Sequence, residues 1–171
     1  MTAPMRVILV EDEALILMQM EALVHDAGHE VVGTAMRQKE AIDLAQALRP
    51  DIVFLDLALC DGGSGLDVAR ALYKSVQTML VFVTANPLKL GGDLAGAAGI
   101  IAKPFTRAVV SRGMEYLEEC VRHPPPLSPL PQGMWMAQSF LSKREATSSW
   151  ADRPDQARTD TAASWASSEQ S

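Results

Sequence analysis

The chain predicts an α/β fold, a doubly wound parallel sheet with helices on both faces. Five short apolar runs recur along it: Val7–Val10, Val31–Gly33, Ile52–Leu55, Met79–Val83 and Ile100–Ala102. Each is aliphatic with little polar alternation, as expected of strands covered on both sides. Helical apolar spacing fills the intervals, and regular alternation of strand and helix implies right-handed crossovers in one parallel sheet. Ile16, Met20, Leu23 and Ala27 make the first helical stripe, and Gly28 supplies its stop. Ala41, Leu44, Ala45 and Leu48 make the second, ended by Pro50. Leu66, Ala69 and Tyr73 mark the third. Val110, Met114, Leu117 and Val121 mark the last, beyond Pro104. The stretch Pro87–Gly96 is a poor helix, because its three glycines cost about 1 kcal/mol each relative to alanine, so a short or frayed element is expected there.

Composition divides the 171 residues into 1–123, a folded domain, and 124–171, a tail expected to be disordered. After Val121 there is no Val or Ile, and the tail holds six of the ten prolines and nine serines, too little apolar surface to offset the entropy of ordering. The tail has four basic and five acidic residues, so 11 basic and 16 acidic residues belong to the domain, which carries most of the net charge of −6. All three tryptophans, Trp135, Trp150 and Trp165, lie in the tail. Met134, Trp135, Met136, Phe140 and Leu141 make an amphipathic patch, read either as a segment that folds on a partner or as scattered aromatics.

The acidic balance argues against a nucleic-acid-binding surface. The apolar runs are far shorter than a membrane span, and no signal peptide is visible. Cys60 and Cys120 are too few for a disulfide framework, so a cytoplasmic protein is expected.

Ligands of such sheets bind beyond the carboxyl ends of the strands. Glu11 and Asp12 follow the first run, Asp56 the third, Thr84 the fourth, and Lys103 with Pro104 the fifth. Three carboxylates gathered at one edge repel one another unless a cation joins them, and oxygen ligands without histidine favour Mg²⁺. A carboxylate in that setting can act as a nucleophile on phosphorus, with Lys103 and Thr84 placed to neutralise the phosphoryl oxygens.

The segments Val7-Ile8-Leu9-Val10-Glu11-Asp12-Glu13, Ile52-Val53-Phe54-Leu55-Asp56-Leu57, Phe82-Val83-Thr84-Ala85 and Ala102-Lys103-Pro104-Phe105 resemble, in order and spacing, the receiver domain of two-component response regulators. The resemblance covers residues 5–123. It implies a flavodoxin-like five-stranded sheet in the order 2-1-3-4-5. It also implies Asp56 as phosphoacceptor, Glu11, Asp12, Asp56 and the Ala58 carbonyl as Mg²⁺ ligands, Thr84 as switch hydroxyl and Lys103 as phosphoryl-binding cation. The implied partners are a sensor histidine kinase or phosphotransfer protein and a downstream protein. The loop Asp61-Gly62-Gly63-Ser64-Gly65-Leu66-Asp67 is similar to that of general-stress receivers and single-domain relatives.

Two departures stand out. Ile100 occupies the position where many receivers carry an aromatic ring that rotates on phosphorylation, and Cys60 stands where many have proline. The expected function is a stand-alone signalling module, not an enzyme, acting through protein contacts. A phosphate sink, an unphosphorylated scaffold and an aspartyl-phosphate phosphatase are the alternatives. The last is disfavoured by Ala58, which stands where such hydrolases carry a second acid. A second stripe on the first helix, Leu15, Met18 and Ala22, is either incidental or a kinase-docking surface. His25 and His29 read as a helix-end pair. Cys60 reads as a loop thiol, and Gly62, Gly63 and Gly65 as a flexible turn into the third helix.

Overall fold

The computed structural model describes residues 2–90 and 94–146, with 143–146 as backbone. Strands β1 (Arg6–Val10), β2 (Glu30–Ala35), β3 (Ile52–Leu55), β4 (Met79–Thr84) and β5 (Gly99–Ala102) are parallel, and β6 (Met134–Met136) is antiparallel to β5. The sheet order is β2-β1-β3-β4-β5-β6. Helices α1 (Ala14–Asp26), α2 (Gln38–Leu48), α3 (Gly65–Ser75) and α4 (Arg107–Arg122) flank it, and α5 (Gln138–Ala146) ends the described chain.

Strict alternation along the strands sorts the core into two layers. Val7, Leu9, Ile52, Phe54, Val81 and Val83 face α1 and α4. Ile8, Val10, Val53, Leu55, Leu80 and Phe82 face α2 and α3. Every residue of β3 and β4 is buried. At about 1.5–3 kcal/mol per large side chain, these strands dominate the apolar stabilisation. Local signals set the helix ends. Ser64 Oγ accepts from Leu66 N–H at 3.2 Å to cap α3, and Thr106 Oγ1 accepts from Val109 N–H at 3.3 Å to cap α4. Arg49 closes α2 in the left-handed region at φ 49°, just ahead of Pro50.

The poor helical stretch Pro87–Gly96 resolves into two 3₁₀ turns, Pro87–Lys89 and Leu94–Gly96, with no α-helix between β4 and β5 among the described residues. Leu94 and Ala95 take φ values of 47° and 53°, and Gly96 one of 87°. A Cβ on Gly96 would lie 2.5 Å from the Tyr73 ring, so this turn packs closely on α3.

Two expectations need correction. The sheet has six strands rather than five, and the segment after residue 123 is not irregular throughout. Its proline-rich start is stapled to α4: Glu119 accepts from Leu127 N–H at 2.6 Å and, at 2.9 and 2.6 Å, from the Ser128 amide and hydroxyl. These bonds, led by the Ser128 hydroxyl, hold the Glu119 carboxyl below the ordinary range. The patch around Trp135 then folds on its own domain as β6, a reading that composition averaged over the whole tail had masked. Trp150 and Trp165 lie outside the described residues.

The two histidines near the end of α1 differ in environment. His25 is exposed, whereas His29 is buried with Nδ1 accepting from Met5 N–H at 3.3 Å and Nε2 3.8 Å from Glu118 Oε2. Burial, aided by Arg122, lowers the His29 pKa, and Glu118 opposes this without cancelling it. The folded state therefore favours neutral His29, while the unfolded chain takes up a proton below the usual value of 6.5. Stability from His29 is present above that value and declines as pH falls from 6.5 towards the lowered folded pKa. Urea melts from about pH 7.5 to about pH 5 should show that decline, and His29→Asn should flatten it; equal slopes in both proteins would contradict the assignment.

Candidate functional site

The parallel strands deliver their carboxyl ends to one edge, and the polar residues that follow them meet there. Asp56 N–H donates to Val10 O at 2.8 Å, which carries the β1–β3 ladder to the start of the site. The carboxylate oxygens of Glu11, Asp12 and Asp56 lie within 4.8 Å of one another. Lys103 enters from the end of β5. Its Nζ is 2.6 Å from Glu11 Oε2, 3.3 Å from Asp56 Oδ2 and 3.9 Å from Glu13 Oε1. Its backbone N–H donates to Thr84 O at 2.8 Å, joining the ends of β4 and β5. Thr84 is buried, and its Oγ1 accepts from Asn86 N–H at 3.0 Å. Asp56 Oδ1 accepts from Leu57 N–H at 2.7 Å.

The electrostatics are unbalanced. Three clustered carboxylates face one ammonium, and two like charges about 4 Å apart repel by about 4 kcal/mol at an effective dielectric near 20. Glu11, only 5% exposed, shows the strain. Burial first, and the Asp56 charge as well, push its pKa up, and the Lys103 hydrogen bond and Glu13 amide do not fully offset them. Burial works to lower the Lys103 pKa, but its bonds and charge contacts with Glu11 and Asp56 prevail, so the ammonium is held more firmly protonated than usual. A hard divalent cation fits this all-oxygen, surplus-negative donor set.

The structure therefore brings together Glu11, Asp12, Asp56 and Lys103, with Thr84 joined through the Lys103 backbone. Ala58 lies in the loop just after Asp56, exposed and bridged to Ser64. Ile100 is buried within β5, opposite Trp135 of β6. Cys60 is exposed, its Sγ 3.3 Å from Met36 O. A cleft of about 650 Å³ on the outer flank of α2, lined by Arg37, Leu44, Leu48 and Asp61 among others, contains none of the site residues.

Three contributors escaped the sequence reading. Glu13 sends its N–H to Glu11 Oε1 at 3.0 Å, orienting that carboxylate. Asn86 supplies the amide on Thr84. Gly65 is the third: a Cβ there would lie 2.1 Å from the Asp56 carbonyl oxygen, and its N–H donates to Leu57 O at 2.9 Å. Glycine thus lets α3 abut the backbone that carries Asp56, a role different from flexibility. The glycine-rich loop was a signal for close approach, but nothing local named what approaches.

The fold and site are those of an acidic-pocket signalling domain. Residues 7–115, well over half of the chain, match the response regulator receiver domain, and the chain belongs to that family. Phosphorylation and Mg²⁺ binding in two-component signalling are typical of it. The chain is 42% identical over 107 residues to the phyllosphere-induced regulator PhyR of Methylorubrum extorquens, covering 61% of this chain and 40% of that protein. It is 34% identical over 106 residues to the transcriptional regulatory protein PdtaR of Mycobacterium tuberculosis, covering 60% of this chain and 51% of that one. It thus spans about half or less of the length of these relatives. The solution structure of the Erythrobacter litoralis PhyR receiver domain superposes with a TM-score of 0.63 at 29% identity, covering 76% of this chain and 98% of that one.

Gly65→Ala should displace the Asp56 backbone, because the clash is with main chain that cannot rotate away. The expected loss is about 1–3 kcal/mol in denaturant melts; wild-type stability in the variant would refute the close-approach role.

Proposed function

We propose that this chain is a phosphoryl-accepting signalling module in which Asp56 receives the group from a phosphohistidine of a sensor kinase or phosphotransfer protein. The observation that carries the reading is the convergence of Lys103 with Asp56 and Glu11 beside Asp12. An Asp56 carboxylate oxygen attacks phosphorus, the donor's P–N bond breaks, and the imidazole departs with the bonding pair. Leu57 N–H and Lys103 hold the nucleophile in place before transfer. During transfer, Lys103 shifts its charge from Glu11 towards the phosphoryl oxygens, and Thr84 offers its hydroxyl to another. Glu11, Asp12, Asp56 and the Ala58 carbonyl would hold Mg²⁺, which would supply further positive charge for the phosphoryl oxygens.

The output reading is a protein contact rather than turnover. Ala58 stands two residues after Asp56, where a hydrolase of this type would carry its general acid, which supports a phosphoacceptor over a phosphatase. The identity to PhyR and the Asp61–Asp67 loop support a place in stress signalling. Among the described residues no helix is long and apolar enough to cross a membrane; we read the location as cytoplasmic. Leu15 and Met18 on α1 are 82% and 65% exposed and stand just after the acidic pair, which supports their use as the donor's docking surface.

Two experiments test this reading. Mass spectrometry after treatment with Mg²⁺ and acetyl phosphate, or with a phosphorylated kinase, should show one phosphoryl group on the wild type and none on Asp56→Asn. An unmodified wild type with both donors would remove the phosphoacceptor role. Met18→Glu should slow transfer from the kinase about tenfold, a cost of about 1.4 kcal/mol, and leave the acetyl phosphate rate unchanged; equal slowing with both donors would contradict docking at α1.

A further inference from the structure

The segment after α4 does more than close the sheet. β6 pairs Gly99 with Met136, Ile100 with Trp135 and Ile101 with Met134. Ala102 N–H donates to Gly133 O at 3.1 Å and Ala137 N–H to Ala98 O at 2.7 Å, so the ladder covers the whole of β5. Met134 and Met136 join the core layer under α1 and α4, Ala137 joins the layer under α2 and α3, and Phe140 packs against both. The segment thus wraps around the sheet edge. Gly99 is fitted to it: a Cβ there would meet Trp135 O at 2.5 Å and Met136 Sδ at 2.8 Å, and its nearest neighbours all belong to β6.

This covering sits one residue from the site. Ala102, bonded to Gly133, precedes Lys103, and Ala102 pairs with Thr84 across β4 and β5. A phosphoryl group on Asp56 brings a charge of about −1.5 to −2 and recruits both Lys103 and Thr84. It therefore pulls the ends of β4 and β5 towards β3, away from β6, which lies on the far side of β5. A three-residue strand has little ladder to spare when its partner shifts.

We propose that residues 133–142 form a releasable strap on β5, and that phosphorylation of Asp56 loosens it and opens the β5 edge. The strap remains tethered, because Glu119 holds the linker at Leu127 and Ser128. Release exposes the apolar anchors Met134, Ala137 and Phe140 together with the backbone groups of β5, a surface able to accept another strand. This inference rests on the reading of Asp56 as phosphoacceptor.

Amide hydrogen exchange on the full chain tests it, with Mg²⁺ and beryllofluoride as the phosphoryl mimic. The Ala102 and Ala137 amides should exchange about tenfold faster or more with the mimic, and should not respond in Asp56→Asn. Gly99→Ala should give fast exchange at both amides without the mimic, while β1 and β3 stay protected. If the Leu57 and Asn86 amides respond to the mimic but Ala102 and Ala137 do not, the strap proposal is overturned and the phosphoacceptor reading stands. If none of the four responds, the phosphoacceptor reading fails and the coupling fails with it. Protected Ala102 and Ala137 amides in Gly99→Ala would also overturn the strap, because the clash that should evict it would have no effect.

Discussion

The Lys103 ammonium is the interaction on which the carboxyl edge of this sheet depends. It reaches Glu11 beyond β1 and Asp56 beyond β3, while its own backbone binds Thr84 at the end of β4. One residue at the end of β5 therefore ties together the ends of four strands, reaching β1 and β3 by its side chain and β4 by its backbone. Its removal would leave the buried Glu11 carboxylate beside Asp56 with no compensating charge, an arrangement that typically costs about 3–5 kcal/mol. The same contact is incomplete as an electrostatic balance, because one ammonium cannot satisfy three clustered carboxylates. That surplus is what makes the pocket receptive to a divalent cation and, on the proposed reading, gives Lys103 somewhere to go when a phosphoryl group arrives.

Edge protection is the second constraint, and it meets the first at β5. A parallel sheet has two exposed flanks, each a template for unwanted pairing. Here β5 carries Lys103 at its end and receives β6 along its flank. The covering is made from little: three strand residues, a glycine that admits their backbone, and Met134, Ala137 and Phe140 as anchors. Chemistry at the pocket and access to the edge therefore bear on the same four-residue strand.

Much of this was legible because it is local. The β1, β3 and β4 runs are continuous apolar stretches suited to a doubly covered sheet, and the polar residues that end or follow them inherit their position from strand direction. The Gly91, Gly92 and Gly96 pattern warned against a full α-helix between β4 and β5, where the described residues form only two 3₁₀ turns. Other features were hidden for identifiable reasons. Met134-Trp135-Met136 is too short to register as a strand against its proline- and serine-rich surroundings, and its stability comes from a partner more than thirty residues away at Gly99. His29 looked like half of a helix-end pair, yet burial against the domain, with Nδ1 taken by the Met5 amide, decides its state. Gly65 looked like a flexible hinge, yet its use is the approach of α3 to the Asp56 carbonyl.

The sequence by itself determined the alternation of strands and helices, the two-sided burial of the sheet and the identity of the acids, hydroxyl and ammonium at its edge. These follow from side-chain periodicity and from which residue comes next in the chain. Only the tertiary structure decided that Lys103 contacts both Glu11 and Asp56, that burial raises the Glu11 pKa against that contact, and that residues 134–136 complete the sheet. Those outcomes depend on distances between segments far apart in the chain, where a few ångströms separate a screened surface charge from a buried pair, and an exposed strand edge from a covered one.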